Sequence, residues 1–331
     1  MTKPFTTGFL IFPGFPMACL TSMIEPLRAA NEISGQAAFA WRLISEIPGK
    51  VASSAAVEFD SGGTIQDAVD CDLLVLLSAP TAQFARQVSA AELRRLQRHG
   101  TILGSVSGGV FPLARAGLAG RTPLAVHWCY EAAFASEFPD HQSSDRVIEI
   151  SSTLITAAGA AAAFDLSLHL IEQRMGPGLA TEVACWFQHP VMRREGVSQI
   201  VPALSLDDQG AQLSPLVERA VKIFAAQLDV PVAINEIADQ LRITPRHLER
   251  TFKKSTGLNP TQYYRKLRME AARQMVLYTN DRVADISAAV GYSSVQTFTK
   301  HYKNAFSFSP KADRSRINLF RVQSNLSVPS A

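Results

Sequence analysis

Cysteine is scarce: the 331 residues include four, Cys19, Cys71, Cys129 and Cys185. They are widely scattered, with no CxxC pair and no Cys/His spacing of the kind a zinc site uses. That argues for reduced structural thiols in a cytoplasm and against a metal site. No metal and no cofactor is expected. Long apolar runs are also missing. Uninterrupted stretches such as Leu73 to Leu77 fall far short of the ~18 residues that suggest a membrane span. The amino terminus carries Lys3 but no extended apolar stretch before Pro13-Gly14, so neither a signal peptide nor a membrane partner is expected.

What is present favours two soluble domains. The length suits two, and a hydrophobic content of 47% is enough to fill their cores. The net charge of +3 hides an asymmetry: residues 1–210 carry 14 Lys+Arg against 20 Asp+Glu, and residues 211–331 carry 18 against 9. A basic half supplies the phosphate attraction that nucleic-acid binding needs, and an acidic companion does not compete for it. Charge alone is weak evidence, since small helical domains are often basic.

The basic half contains one pattern twice. The first copy reads Ile237-Ala238, Leu241, Thr244-Pro245-Arg246, Leu248, Arg250, Phe252-Lys253 and Asn259-Pro260. The second reads Ile286-Ser287, Val290-Gly291, Ser293-Ser294, Phe298, Lys300, Tyr302-Lys303 and Ser309-Pro310. The offset is 49 at Ile237/Ile286 and 50 at Phe252/Tyr302, so one residue is inserted at the turn, where insertions are tolerated. Ile234, Ile237, Ala238 and Leu241 form one helical stripe. Thr244 is a good N-cap, Pro245 suits the first helical position, and Leu248 with Phe252 makes the next buried stripe. Each copy therefore reads as a helix-turn-helix.

Outward on the second helix of the first copy lie Arg246, His247, Glu249, Arg250, Lys253 and Lys254. In the second copy Ser293 or Ser294 caps, and Val295, Gln296, Thr297, Lys300 and Lys303 point out. Such faces suit a DNA major groove, with Arg gripping guanine O6/N7 and Lys or His reaching phosphates. A single copy would read equally well as a solvated bundle face; two in register favour double-stranded DNA.

These residues carry a resemblance. The stretch from Ser214 to about Phe320 resembles the DNA-binding domain of the AraC/XylS family of transcription regulators, two helix-turn-helix units joined by a long helix, here about 261–278. Arg246-His247-Leu248-Glu249-Arg250-Thr251-Phe252-Lys253, Gly257, Asn259-Pro260, Tyr263-Tyr264, Arg268, Ala272-Arg273, Asp285-Ile286 and Gly291-Tyr292 all match. Ser307 departs from the pattern, standing where the family usually has Gly; Ser287 stands where Ala is usual.

The first half alternates strands and helices: strands over 6–12, 39–46, 72–77 and 101–106, and helices over 17–32, 90–98 and 160–173. That order implies a mostly parallel, doubly wound α/β sheet. Ligands in such sheets bind outside the carboxyl ends of the strands, which draws attention to 13–17, Ser78-Ala79-Pro80, Ser107-Gly108-Gly109 and His127-Trp128. A buried strand, Ser107, two glycines and a helix resemble a nucleophile elbow.

The half from about Thr6 to Ala184 resembles the flavodoxin-like DJ-1/PfpI branch of the class I glutamine amidotransferase-like fold. Phe12-Pro13-Gly14-Phe15, Leu27-Arg28-Ala29-Ala30-Asn31, Val106-Ser107-Gly108-Gly109 and Leu113-Ala114-Arg115-Ala116-Gly117-Leu118 carry the likeness, with His127-Trp128 and Thr156-Ala157-Ala158-Gly159. Catalytic members have cysteine at the position of Ser107. A serine there needs a base within reach, and no His follows it directly, so no enzyme is expected. A Ser107-dependent hydrolase or amidase with an appended DNA-binding module stays as the alternative.

Candidate ligand-binding residues are Phe15, Glu25, Ser78, Ala79, Ser107, Gly108, His127 and Trp128. Phe15 and Trp128 read either as walls of a cationic cage or as core. Glu25 reads as support for the elbow, a role implied by the resemblance, or as an exposed helix carboxylate. Asp165 and His169 read as a surface or capping pair, and Arg193-Arg194-Glu195 as solvated charge.

Together the resemblances imply a sensor over 1–195, a linker over 196–213, an AraC-type double helix-turn-helix over 214–321 and a tail over 322–331. The implied function is a transcription regulator, an activator, responding to a small-molecule effector such as an amino acid or quaternary ammonium compound. The expected partners are DNA, that effector, a second copy in a homodimer and RNA polymerase.

Overall fold

A computed structural model describes residues 3–189, 192–193, 196–199, 213–279 and 281–320. The chain divides into two compact units, parting at Gln199/Ile200.

The first unit is built on a six-stranded sheet. Strands β1 (Phe5–Ile11) and β2 (Phe39–Ile44) are separated by helix α1 (Met17–Ser34). A hairpin of β3 (Gly49–Ala52) and β4 (Glu58–Ser61) precedes β5 (Leu73–Ser78). Helix α2 (Ser89–Arg98), β6 (Ile102–Ser107), α3 (Val110–Arg115), β7 (Leu124–Ala125), α4 (Glu131–Glu137), β8 (Ser143–Ser144), β9 (Ile148–Ile150) and β10 (Leu154–Ala157) follow. Helices α5 (Ala160–Met175) and α6 (Pro177–Trp186) complete the unit. The sheet order is β2-β1-β5-β6-β10-β9, parallel except for β9 against β10.

Burial explains the continuous apolar run in β5. Leu73, Val75 and Leu77 pack with Leu20 and Met23 of α1 and Leu166 and Leu170 of α5. The alternate residues Leu74 and Leu76 are equally buried; alternation turns them to the other face, so both faces of the central strand are covered, as parallel sheets require.

One reading is corrected in this unit. Asp165 and His169 do not form a surface pair. Asp165 is fully buried, and its carboxylate accepts from Arg193 Nε at 2.7 Å and from the Arg193 backbone at 3.1 Å, and bonds His189 Nε2 at 2.8 Å. His169 bonds Gln173 instead. Arg193 is thus an ion-pair partner rather than solvated charge; a buried carboxylate demands such partners.

The second unit is helical: α7 (Pro215–Ala225), α8 (Ile234–Gln240), α9 (Pro245–Thr256), α10 (Pro260–Tyr278), α11 (Val283–Ala289), α12 (Val295–Phe306) and α13 (Pro310–Phe320). Val217 and Phe224 of α7, Ile237, Ala238 and Leu241, Leu248 and Phe252, and Tyr263, Tyr264 and Leu267 of α10 form one core. Ile286, Val290, Phe298 and Tyr302 repeat that burial in the second copy. The duplication is visible in the backbone too. Arg242 and Gly291, 49 apart, both take left-handed φ at the helix-turn-helix turn (57° and 72°), and Gly257 and Ser307, 50 apart, both do so where α9 and α12 end (72° and 65°).

Candidate nucleic-acid interface and sensor loops

The two exposed helices of the repeat begin alike. Thr244 caps α9, its hydroxyl accepting from His247 N at 3.3 Å, and Ser294 caps α12 by accepting from Thr297 N at 3.4 Å. The inserted residue is therefore Ser293. Leu248 and Phe252 anchor α9, Phe298 and Tyr302 anchor α12, and all four are completely buried. With those faces fixed by helical spacing, Arg246, His247, Glu249, Arg250 and Lys253 are exposed on α9, and Val295, Gln296, Thr297, Lys300 and Lys303 on α12. The α9 residues, with Thr244 and Asn259, line an open groove of about 740 Å³.

The arginines of this unit fall into two sets. Arg268 donates to the carbonyls of Val290 and Gly291 at 2.7 and 2.6 Å and lies over the Tyr292 ring at 4.2 Å, holding the second turn against α10. Burial lowers its pKa. Arg314 donates to the carbonyls of Val276 and Asp281, and Arg273 pairs with Asp313 at 2.9 Å. Arg246 and Arg250, by contrast, make no side-chain hydrogen bond or ion pair with a described residue. Guanidinium groups left unspent on an exposed groove face are available to an external acceptor.

In the first unit the elbow is real backbone geometry. Ser107 takes φ 55°, a conformation that costs a non-glycine residue about 1–2 kcal/mol, and it is nearly buried. Gly108 and Gly109 are required there: a Cβ would lie 2.4 Å from the Ser78 carbonyl oxygen and 2.1 Å from that of Leu76. Ser78 and Ser107 are register partners at the ends of β5 and β6. Ser78 Oγ is buried with no hydrogen-bond partner among described residues. Ser78, Ala79, Ser107 and Gly108 thus sit together.

His127 and Trp128 come to the same sheet edge from another direction. A Cβ on Gly159, just after β10, would touch the His127 ring at 3.0 Å, and β10 neighbours β6. The two rings lie 5.6 Å apart. Burial lowers the His127 pKa, so the ring is neutral near pH 7. Its Nδ1 accepts from Cys129 N at 3.2 Å, which puts the proton of that neutral ring on Nε2.

The two remaining candidates lie elsewhere. Phe15 is fully buried, edge-on to Phe59 at 5.4 Å, and belongs to the core. Glu25 is on the outside of α1 in an ion pair with Arg28 at 3.0 Å, both side chains more than 40% exposed.

Two residues of this region have roles that their sequence context does not reveal. Arg115 forks onto Glu137 and donates to the carbonyls of Pro80 and Ala82, tying the loop after β5 to α3 and α4. Gln199 is bonded to the backbone beside His127. Arg115 stands in the Leu113–Leu118 stretch, and nothing local reveals that its partners lie 22–35 residues away.

Comparison with known proteins fits this geometry. A family model described as "Helix-turn-helix domain" matches residues 237–316, the span of the two copies. The chain is 31% identical over 314 residues to the HTH-type transcriptional regulator GbdR of Pseudomonas aeruginosa, covering 94% of this chain and 84% of that one. It is 30% identical over 312 residues to the regulator CdhR of the same species, covering 94% and 92%. The chain belongs to the AraC/XylS family of transcription regulators. As a family member it is a DNA-binding regulator, with a doubly wound α/β unit ahead of an AraC-type double helix-turn-helix. Among solved structures, an AraC family regulator from Pseudomonas putida is similar at 24% identity and a TM-score of 0.47, over 56% of this chain and 100% of that one. Among the described residues no helix is long and apolar enough to cross a membrane.

Proposed function

We propose that this regulator reads its operator with α9 and α12 and is switched by a small polar metabolite bound at the elbow edge of the first unit. It would act as a homodimeric activator that recruits RNA polymerase in the cytoplasm. On α9 the readers are Arg246, His247, Glu249, Arg250 and Lys253; on α12 they are Val295, Gln296, Thr297, Lys300 and Lys303. The observation that carries this reading is the unspent pair Arg246 and Arg250 on the exposed groove face of α9, whereas Arg268, Arg273 and Arg314 of the same unit are engaged internally. The two helices are expected to enter successive major-groove segments about one turn, ~34 Å, apart.

The effector site comprises Ser78, Ala79, Ser107, Gly108, His127 and Trp128. The unpartnered Ser78 hydroxyl favours a ligand with hydrogen-bonding groups, since a buried hydroxyl left unmet costs free energy. An amino acid or a quaternary ammonium compound with a carboxylate satisfies that requirement. Phe15 and Glu25 are left out because of where they lie.

Ser107 is read as a binding residue and not a nucleophile. A general base needs a free lone pair facing the serine and an orienting acceptor at its other nitrogen. His127 has the reverse arrangement, with Nδ1 accepting from Cys129 N.

A thermal-shift screen of amino acids and betaine-like compounds against the full chain tests the effector reading, because a ligand of the native state raises its melting temperature. No shift with any compound at millimolar concentration would remove it. Ser107→Ala is expected to keep much of the ligand-dependent transcription; loss of a measurable hydrolase turnover in that variant would favour the enzyme reading instead.

A further inference from the structure

The first unit ends in a strap. After Gly196 the chain runs antiparallel to the segment between β8 and β9: Val147 N donates to Val197 O at 2.8 Å, Gln199 N donates to Asp145 O at 2.7 Å, and Arg146 and Ser198 are bridge partners. The Gln199 carboxamide then reaches across. Its Oε1 accepts from Trp128 N at 2.9 Å, and its Nε2 donates to the carbonyls of Val126 at 2.7 Å and Arg146 at 3.2 Å. One side chain therefore meets the backbone on both sides of His127. Gln199 is also the residue at which the first unit gives way to the second.

We infer that Gln199 is a positioning residue that couples the His127–Trp128 loop to the chain entering the DNA-binding unit. An amide side chain suits the role because it donates and accepts at once, whereas a carboxylate would set an acceptor against the Val126 carbonyl. The loop is itself held by short local contacts, the 3-10 turn Trp128–Tyr130 and the His127 cap. A shift of the Trp128 amide breaks the bond to Oε1 and loosens the strap at its last residue; tightening the strap restrains the loop in return, as reciprocal linkage demands. The inference rests on the proposed effector site only for the source of the shift, and the coupling itself is testable with no effector at all.

The experiment uses the full chain carrying Arg146→Cys and Ser198→Cys, each single variant as a control, and separately Gln199→Ala. The probe is a duplex selected from a random-sequence pool by the unmodified full chain, and DNA affinity is read by fluorescence anisotropy. Bridge partners on adjacent antiparallel strands lie within the span a disulfide can close, so oxidation is expected to staple the strap. Stapling is expected to change the dissociation constant by about fivefold or more, a reducing agent to reverse the change, and Gln199→Ala to move affinity in the opposite sense. Oxidised and reduced forms agreeing within about twofold would overturn the coupling. So would failure of the staple to form by mass spectrometry, since residues 146 and 198 would then not be paired. If Gln199→Ala lowers the melting temperature and leaves DNA affinity alone, the strap is merely structural and the inference fails. A staple effect alongside a blank thermal-shift screen would uphold the coupling and remove the effector reading; a positive screen with an inert staple would do the reverse.

Discussion

The Tyr302 hydroxyl donates to Asp313 Oδ2 at 2.9 Å, out of solvent. Fifty residues earlier the same two positions are Phe252 and Tyr263, an edge-to-face ring pair with centroids 5.5 Å apart. The duplicated fold keeps the contact and changes its chemistry. Asp313 also pairs with Arg273, so the second copy has a polar network where the first has an aromatic contact. Tyr302→Phe is expected to destabilise the second unit by about 1–3 kcal/mol, the cost of leaving a buried carboxylate one donor short. Differential scanning calorimetry of the full chain measures it.

The same contact makes an alkaline prediction. Burial, and then Asp313, raise the Tyr302 pKa well above its ordinary value of 10.0. Above that value the unfolded chain loses this proton while the native state keeps it. The contribution is therefore intact below about pH 10 and is lost as pH climbs toward the raised native value. The second unit of Tyr302→Phe is expected to lose less stability between pH 9.5 and 11 than the unmodified chain, in melting curves recorded across that range. An unchanged alkaline slope would show that Tyr302 ionises as easily folded as unfolded.

The left-handed positions give graded predictions. Gly291 has φ 72°, and a Cβ there would lie 2.7 Å from the Leu228 carbonyl oxygen and from Pro231, so Gly291→Ala combines strain with a backbone clash and is expected to cost more than 2 kcal/mol, roughly. Gly257 has the same φ with nothing within 4 Å, so Gly257→Ala is expected to cost about 1 kcal/mol from strain alone. Ser307→Gly and Arg242→Gly relieve strain but loosen the unfolded chain, and each is expected to stabilise by a few tenths to about 1 kcal/mol. Melting temperatures of the four variants test the ordering.

Most of the second unit was legible because its signals are local. Thr244-Pro245 and Asn259-Pro260 announce helix starts within four residues, and the repeat doubles every signal. Ser307 departs from the glycine of the family pattern, yet the φ it adopts, 65°, is the one glycine would supply. In the first unit the elbow was legible for the same reason, a buried strand running into Ser107-Gly108-Gly109. What failed depends on distant partners. Asp165 looked like half of an i, i+4 pair with His169, but its ligands come from residues 24 and 28 positions on. The short hairpin β3–β4 has too few residues to show an alternation. Phe15 follows a loop glycine, and nothing in the sequence says that the chain turns it inward onto Phe59.

The proposed readers on α9 and α12 yield the last prediction, which separates bases from phosphates. If Arg246 and Arg250 grip guanine edges, Arg246→Ala and Arg250→Ala should each cost on the order of 1–3 kcal/mol and relax preference at one position of the site. Lys253→Ala should weaken binding to all sequences alike and reduce the salt slope by about 1, the signature of a lost phosphate contact. The two helices need not contribute equally. At the position of Arg246 the second copy has Gln296, at that of His247 it has Thr297, and the inserted Ser293 precedes its cap. Arginine presents a forked cation to guanine, while glutamine offers a neutral pair of bonds to adenine, so α9 is expected to carry more of the specificity. Selection from a random-sequence pool with Arg246→Ala/Arg250→Ala and with Gln296→Ala/Thr297→Ala decides the ranking. The arginine variant should lose information at one segment of the site and the other should lose less; the opposite result would make α12 the principal reader.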